Sequence, residues 1–149
     1  MTEALETSGN QAEAPALPSF DRMPLSDEVK KALADMGYTH PTPVQYATYD
    51  AATHSEDLVV QARTGTGKTA AFGIPIVDQL VRKSLNEPQV LALTPTRELA
   101  LQVSRELSKL GSCKGIVNVP IYGGAPMQRQ IDAISAGAHI VVGTPGRVL

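Results

Sequence analysis

Residues 61–72, QARTGTGKTAAF, place two glycines and a Lys-Thr pair between apolar residues. Gly65 and Gly67 allow backbone angles at which successive N–H groups turn inward, towards anionic oxygens. The Lys68 ammonium would supply a full positive charge to the outer phosphates of a nucleotide, and the Thr69 hydroxyl is suited to bind Mg²⁺. The segment therefore predicts a phosphate-binding loop, with Lys68 and Thr69 as the catalytic candidates and Thr69 as the metal ligand.

One position of this loop departs from the general pattern G-x-x-x-x-G-K-[ST], since its first residue is Ala62. Alanine still provides a small side chain, and the alternative is a glycine-rich turn with a chance Lys-Thr pair. A strand before the loop and a helix after it would favour the phosphate site. The apolar segment 57–62 predicts that strand, and a helix with a kink near Gly73 and Pro75 is expected after Lys68. The apolar face of this helix is predicted to contain Phe72, Ile76 and Leu80.

Strand-like and helix-like segments alternate along the rest of the chain. The predicted strands are 57–62, 89–94, 115–122 and 139–144. The other predicted helices are 27–36, 43–51, 97–110 and 126–136. The alternation indicates an α/β fold, in which a parallel sheet has helices on both faces. Because such sheets bind ligands at the carboxyl ends of their strands, we expect one surface from the segments that follow the strands, 62–69, 94–97, 122–124 and 143–147.

Two of the helices begin with capping signals. Ser26 precedes Asp27, and Thr42 precedes Pro43, which suits the first position of a helix. Gly37 is the expected end of the first helix.

Length and composition restrict the class of protein. The 149 residues suffice for one domain with a core, and 42% apolar residues is an ordinary value. No apolar run is long enough to span a membrane, and the N-terminus, with Glu3, Glu6 and Glu13 but no basic residue, resembles neither a signal nor a transit peptide. The single cysteine, Cys113, excludes an internal disulfide and a cysteine-based zinc site, which favours a reduced thiol and a cytoplasmic location.

Apolar patterning and charge differ between the first and the later parts of the chain. Residues 1–18 have no periodic apolar pattern and predict a disordered leader before a domain over 19–149. Residues 1–60 contain three Lys/Arg against ten Asp/Glu, whereas residues 61–149 contain ten against five. The second part is therefore suited to an anionic ligand, although ordinary surface charge also explains the counts.

At the phosphate loop the sequence resembles DEAD-box ATP-dependent RNA helicases. Residues 62–69, ARTGTGKT, match the family's A-x-T-G-x-G-K-T form, in which alanine at the first position is usual. Four further motifs occur in the family's order, namely GYTHPTPVQ at 37–45 (Q motif), PTRELA at 95–100 (motif Ia), Gly123-Gly124 (GG motif) and TPGR at 144–147 (motif Ib). The resemblance covers residues 20–149 and implies an incomplete, RecA-like first helicase domain that binds ATP, Mg²⁺ and RNA.

The resemblance implies an ATP site that combines the loop with the Q motif. Its expected residues are Phe20, Gln45, Ala62, Arg63, Thr64, Gly65, Thr66, Gly67, Lys68 and Thr69. The Gln45 carboxamide can pair with adenine N6 and N7 and would favour ATP over GTP, the alternative being a solvent-facing helix residue. Phe20 would either stack on the adenine or anchor the leader in a small core.

In the family, motifs Ia, GG and Ib bind the RNA sugar-phosphate backbone. The corresponding residues are Pro95, Thr96, Arg97, Gly123, Gly124, Thr144, Pro145, Gly146 and Arg147. Arg97 and Arg147 supply charge, and no group in the set is suited to read base edges, so binding is expected to be largely independent of sequence. For Arg97 a plain helix-surface role is the alternative, and Glu98 is expected to be structural.

The family's D-E-A-D and S-A-T motifs and its second RecA-like domain have no counterpart in these 149 residues. In the family, D-E-A-D holds the metal and positions the attacking water, and the second domain contributes arginines. We therefore expect these residues to bind ATP weakly, not to hydrolyse it at a useful rate, and to expose apolar sheet surface. The sequence is interpreted as the front portion of a longer protein.

Three functional hypotheses follow. The first is the ATP- and RNA-binding part of an ATP-dependent RNA helicase that unwinds or remodels RNA duplexes. The second is a non-catalytic, nucleotide-dependent RNA-binding module. The third, a DNA helicase or another P-loop ATPase, is disfavoured by the Q motif together with PTRELA.

Overall fold

Three short parallel strands form the sheet in the part of the chain that this computed structural model describes, residues 15–149. The strands are β1 Val90–Leu93, β2 Asn118–Ile121 and β3 Ile140–Gly143. β3 lies between the other two, and its residue Ile140 is in register with Val90 and with Asn118. The α/β class predicted from the sequence is confirmed. Most of the predicted leader, residues 1–14, lies outside the described residues.

Helices precede and connect these strands. They are α1 Asp27–Asp35, α2 Pro43–Thr53, α3 Lys68–Pro75, α4 Arg97–Gly111, α5 Met127–Ser135 and the short α6 Pro145–Val148. A π-helical turn, Ile76–Leu80, continues α3 directly after Pro75, where the regular ladder is interrupted because proline has no N–H to donate. Among residues 15–149, no helix combines the length and the apolar character that crossing a bilayer requires.

Apolar side chains pack on both faces of the sheet. On one face, Ile140 and Val142 belong to the larger core, which also contains residues of α1, α3 and α4. On the other face, Val141 packs with Ala133 and Ile134 of α5. Successive residues of a strand point to opposite faces, so the continuously apolar β3 is buried on both. The prediction of helices on both faces is confirmed.

The strand predicted at residues 57–62 is not part of the sheet, and the prediction of four strands was wrong. Within the described part of the chain, no strand pairs with this segment. The side chain of Val59 is fully exposed, and those of Leu58 and Val60 are each 42% exposed. A strand needs a neighbour for its N–H and C=O groups, and an apolar sequence alone cannot provide one.

The apolar face predicted for the helix after the loop was wrong at two of its three residues. Phe72 and Leu80 are each 40% exposed, whereas Ile76 packs against the larger core and Ile74 is buried. The cause is the close approach of α4 to the glycine side of α3. A Cβ added at Gly73 would lie 2.9 Å from Leu110 Cδ1. The face without a bulky side chain therefore enters the core, and Phe72 points away from it.

Of the two predicted helix caps, one is confirmed. Thr42 Oγ1 accepts from the N–H of Gln45 at 3.4 Å, and Gln45 Oε1 accepts from the N–H of Thr42 at 3.0 Å, so the two residues form a capping box at the start of α2. Ser26 lies at the N-cap of α1, but its side chain makes no capping hydrogen bond. Its N–H instead donates to Oδ1 of the buried Asp78 at 2.9 Å.

Exposed apolar residues beside the sheet predict low stability for this chain. Besides residues 58–60, Leu91 and Leu93 of β1 are 54% and 57% exposed. Such side chains contribute little to folding and favour association. We expect broad thermal unfolding at a low midpoint, measured by circular dichroism, and binding of the dye ANS before unfolding begins. A sharp transition above about 65 °C would contradict this expectation.

Candidate functional site

The phosphate loop, residues 62–69, is a tight turn that ends at the start of α3. Thr66 closes the turn, since its N–H and its Oγ1 donate to Arg63 O at 3.3 and 2.7 Å. Gly65 and Gly67 have φ values of 81° and 83°, in the left-handed region that glycine adopts without strain. Gly67 is the N-cap residue of α3, so the unpaired N–H groups of the first helical turn lie beside the loop, as an anion site requires.

The Lys68 side chain forms a hydrogen bond to the beginning of the same loop. Its Nζ donates to Ala62 O at 2.7 Å, and the residue is exposed. A phosphate oxygen would be a stronger acceptor for the ammonium than this carbonyl, because it carries charge. Thr69 is half-buried in the first turn of α3. Both residues thus lie at the helix N-terminus, where the sequence predicts phosphate and Mg²⁺ binding.

Gln45 lies against the phosphate loop. Its side chain is 6% exposed, and its Nε2 donates to Gly67 O at 3.3 Å. Its Oε1 accepts from the N–H of Thr42 in the capping box of α2. A Cβ at Gly67 would collide with Gln45 Nε2, so glycine is required there for the contact as well as for its φ. The solvent-facing alternative for Gln45 does not hold. Pairing with adenine requires that Gln45 exchange its present partners for the base.

Phe20 is buried in the larger core rather than exposed beside the loop. Its side chain is 3% exposed, and its backbone N–H donates to Thr39 O at 3.0 Å. The ring therefore anchors the segment before α1 in the larger core, and the backbone of Phe20 joins this segment to the residues between α1 and α2. This geometry favours the core-anchor interpretation of Phe20 over adenine stacking.

A cavity of about 890 Å³ opens beside the loop. Thr64, Gly65, Lys68 and Thr69 line it, together with Thr94 at the end of β1. The rest of the lining is mostly apolar and also contains Thr48, Gln102 and Glu106. Apolar side chains and a carboxylate offer no favourable partner to phosphate oxygens, so we expect the phosphates at the N–H groups of the loop.

Arg97 and the glycine pair meet at the carboxyl ends of β1 and β2. The Arg97 guanidinium lies over the ring of Tyr122, 4.7 Å from its centroid, which is a cation–π contact. A Cβ added at Gly124 would lie 3.8 Å from Arg97 Nη1. Within residues 15–149, no ion pair joins Arg97 to Glu98. The aromatic ring orients the guanidinium while its N–H donors remain available to an anion.

Arg147, which follows β3 in α6, contacts the loop 122–125 that contains the glycine pair. Its Nη1 donates to Ala125 O at 3.0 Å and to Gln130 Oε1 at 3.4 Å. Gln130, which is 9% exposed, donates from Nε2 to Tyr122 O at 3.0 Å. Arg147 therefore contacts one end of the loop 122–125 directly, at Ala125, and is joined to the other end, at Tyr122, through the Gln130 side chain.

The other RNA candidates lie on turns that surround these two arginines. The exposed ones are Pro95, Thr96, Gly123, Pro145 and Gly146, and Thr144 is half-buried. Thr96 caps α4, since its Oγ1 accepts from Leu99 N–H at 3.2 Å. The structure thus brings the segments after β1, β2 and β3 together on one surface.

Sequence reasoning includes Tyr122 in the predicted surface segment 122–124 but gives it no role of its own, and it misses Gln130. The position of Tyr122 directly before two glycines was an available signal. Gln130 carries no such signal, because its partners are about eight and seventeen residues away and only the fold brings them together.

Comparison with known proteins identifies the family. The family model described as "DEAD/DEAH box helicase" matches residues 42–149. The DEAD-box ATP-dependent RNA helicase CshA of Geobacillus kaustophilus is 47% identical over 133 residues, which is 89% of this chain and 28% of the relative. CshA of Bacillus subtilis is also 47% identical, over 88% of this chain and 26% of the relative. The chain therefore spans less than a third of the length of these relatives.

Solved structures agree with these matches. A DEAD-box protein from the hyperthermophile Methanococcus jannaschii superposes with a TM-score of 0.81 at 42% identity, over 88% of this chain and 36% of that one. A hypothetical ATP-dependent RNA helicase from Sulfolobus tokodaii gives a TM-score of 0.72 at 36% identity, over 83% of this chain and 35% of that one. Each neighbour thus contains the described fold within about a third of its own length.

Proposed function

Because this chain belongs to the DEAD/DEAH box helicase family, we propose that residues 19–149 form the ATP- and RNA-binding part of an ATP-dependent RNA helicase of the cytoplasm. The observation that supports this most is the hydrogen bond from Gln45 Nε2 to Gly67 O, since it brings the candidate base reader onto the phosphate loop. The whole helicase would use ATP hydrolysis to unwind or remodel RNA duplexes.

In this proposal the phosphate loop binds the triphosphate of ATP. The N–H groups of the first turn of α3 and the Lys68 ammonium, released from Ala62 O, donate to phosphate oxygens. The backbone of Gly65 and Gly67 is in the left-handed region. Together with the N-terminus of α3, it presents N–H donors that fit an anion. Mg²⁺, when bound at the Thr69 hydroxyl, would neutralise phosphate charge. Gln45 pairs with the adenine and thereby selects ATP.

The surface around Arg97 and Arg147 binds the backbone of RNA in this proposal. Both guanidiniums are oriented by contacts that leave donors free, one by the Tyr122 ring and the other by Gln130 and Ala125 O. Nearby glycines allow close approach of the sugar-phosphate chain. Binding is largely independent of sequence, because these groups address phosphates.

Hydrolysis requires groups that these 149 residues do not contain, since no D-E-A-D tetrapeptide occurs in them. We expect this chain on its own to show no RNA-stimulated ATP turnover above background in a phosphate-release assay. Normal RNA-stimulated turnover would contradict this and would favour a complete catalytic centre. The alternative, a non-catalytic RNA-binding module, differs from the helicase part only in what the rest of the relatives' length supplies, since this chain covers 28% and 26% of the two relatives.

The proposal is tested most simply at the base reader. Gln45→Ala removes the carboxamide that would pair with adenine, so we expect the affinity for ATP to fall about tenfold and the affinity for GTP to change much less. Titration calorimetry with each nucleotide measures both. Gln128→Ala, which removes an exposed carboxamide from α5, is the matched control and should leave both affinities unchanged. Equal losses for ATP and GTP would exclude Gln45 as a base reader.

A further inference from the structure

Asp78 is a buried carboxylate that the proposed ATP and RNA sites do not use. It is 5% exposed; its Oδ1 accepts from Ser26 N–H at 2.9 Å, and its Oδ2 accepts from Tyr49 OH at 2.7 Å and from Gln79 Nε2 at 2.8 Å. Burial raises the pKa of Asp78, but the hydrogen bonds from Tyr49, Ser26 and Gln79 outweigh it, so the pKa lies below its ordinary value. The side chain therefore remains ionised inside the protein. Lys114 Nζ donates to the backbone oxygen of the same residue at 2.6 Å and brings a positive charge close by.

Tyr49 is the closest donor to this carboxylate. Its ring is 7% exposed, and its hydroxyl, which has one proton, lies 2.7 Å from Asp78 Oδ2 and 3.2 Å from Pro24 O. The proton goes to the carboxylate, because a charged acceptor at the shorter distance makes the stronger bond. Burial, followed by the hydrogen bond to Asp78, raises the pKa of Tyr49, so the hydroxyl keeps this proton at neutral pH.

Three polar contacts join α2 to α3 and its π-helical continuation. They are Gln45 Nε2 to Gly67 O at 3.3 Å, Thr48 Oγ1 to Ala71 O at 3.2 Å, and Tyr49 OH to Asp78 Oδ2 at 2.7 Å. The middle one brings the Thr48 hydroxyl to a carbonyl that Pro75 leaves without an N–H partner in α3, and the single Thr48 proton is shared with Val44 O, which lies nearer at 2.8 Å. Since positions three and four residues apart share one helix face, the three contacts form a ladder with the phosphate loop at one end and Asp78 at the other.

We propose that Tyr49 and Asp78 are positioning residues, which fix α2 against α3 and thereby hold the Gln45 carboxamide at the phosphate loop. Their contact is the only one of the three that involves a charged group, and such hydrogen bonds are roughly twice as strong as neutral ones. Tyr49 lies one helical turn after Gln45, so a change in the position of α2 moves the carboxamide. The phosphate loop leads directly into α3 and keeps its shape.

This inference rests on the proposed function and predicts an effect on base selection alone. Tyr49→Phe removes the hydroxyl, so the preference for ATP over GTP should fall about fivefold, while the affinity for inorganic tripolyphosphate should stay within about twofold. Titration of the whole chain with each of the three ligands, at a temperature where circular dichroism shows the variant folded, measures these affinities. Tyr46→Phe is the matched control, since it removes a hydroxyl from a 44% exposed tyrosine of the same helix.

A double substitution separates positioning from general destabilisation. If Tyr49 acts through Gln45, then Tyr49→Phe added to Gln45→Ala should cause no further loss of ATP preference. Asp78→Asn, which keeps an acceptor for Ser26 N–H but removes the charge, should lower the preference as Tyr49→Phe does. An unchanged preference in both folded variants of a parent that discriminates overturns this inference alone. A parent that binds ATP and GTP equally overturns the inference and the proposed function together.

Discussion

Lys68→Ala should lower the affinity of this chain for ATP about hundredfold without lowering its thermal midpoint. The loop 62–69 contains two positive charges, Arg63 and Lys68, and Lys68 is the one that lies in the first turn of α3. Charge-assisted bonds to phosphate are the strong ones. Its present partner is a single carbonyl, Ala62 O, on an exposed turn, so the fold does not depend on it. Titration calorimetry with Mg²⁺ and ATP, together with a melting curve, measures both effects.

Lys109→Ala is the matched control for this experiment. Lys109 is an exposed lysine near the end of α4, distant in sequence from the loop, and its removal changes the net charge by the same amount. We expect its ATP affinity to equal that of the parent. If Lys68→Ala and Lys109→Ala bound ATP equally well, the phosphate site would lie elsewhere.

Gly67→Ala should destabilise the protein by about 3 kcal/mol, the sum of three local effects. Alanine at a φ of 83° is strained by about 1 kcal/mol, its Cβ collides with Gln45 Nε2, and the displaced carboxamide loses its bond to Gly67 O. Because Gln45 must move, the preference for ATP over GTP should fall as well. Urea denaturation and nucleotide titration measure the two consequences.

Gly65→Ala separates the strain from the collision. Gly65 has nearly the same φ, 81°, but a Cβ added there meets nothing within 4 Å. We therefore expect a loss of only about 1 kcal/mol, from the backbone conformation alone. Equal losses in the two variants would show that the contact between Gln45 and the loop does not contribute to stability.

Local sequence signals predicted the helices well because their causes are local. The capping box of α2 needs only Thr42 and Gln45, three residues apart, and the apolar spacing of α4 is readable within fifteen residues. The strand at 57–62 was predicted wrongly because apolar character does not supply a hydrogen-bonding neighbour. The face of α3 was predicted wrongly because the approach of Leu110 to Gly73 is set by packing between distant segments.

The residues of the candidate site were likewise predictable where their signals are local and not where their partners are distant in sequence. The loop 62–69 was predicted from its glycines and its Lys-Thr pair, and the nearness of Gln45 followed only from the resemblance to a family. Asp78 and Gln130 were not predicted, because each acts through partners that the fold alone brings near. Phe20 lies at the position where the resemblance implies a ring stacked on adenine, but its side chain is buried in the core.

In the proposed function, one chain binds ATP at the loop 62–69 and RNA at the surface around Arg97 and Arg147. Two-dimensional ¹H–¹⁵N NMR of the 15.8 kDa chain tests both halves at once. We predict that Mg²⁺-ATP shifts the backbone resonances of the loop and the side-chain amide of Gln45, and that oligo(U) RNA shifts those of Gly123, Gly124 and the turn 144–147. If Mg²⁺-ATP left the loop resonances unchanged at saturating concentration, the loop 62–69 would not be the ATP site.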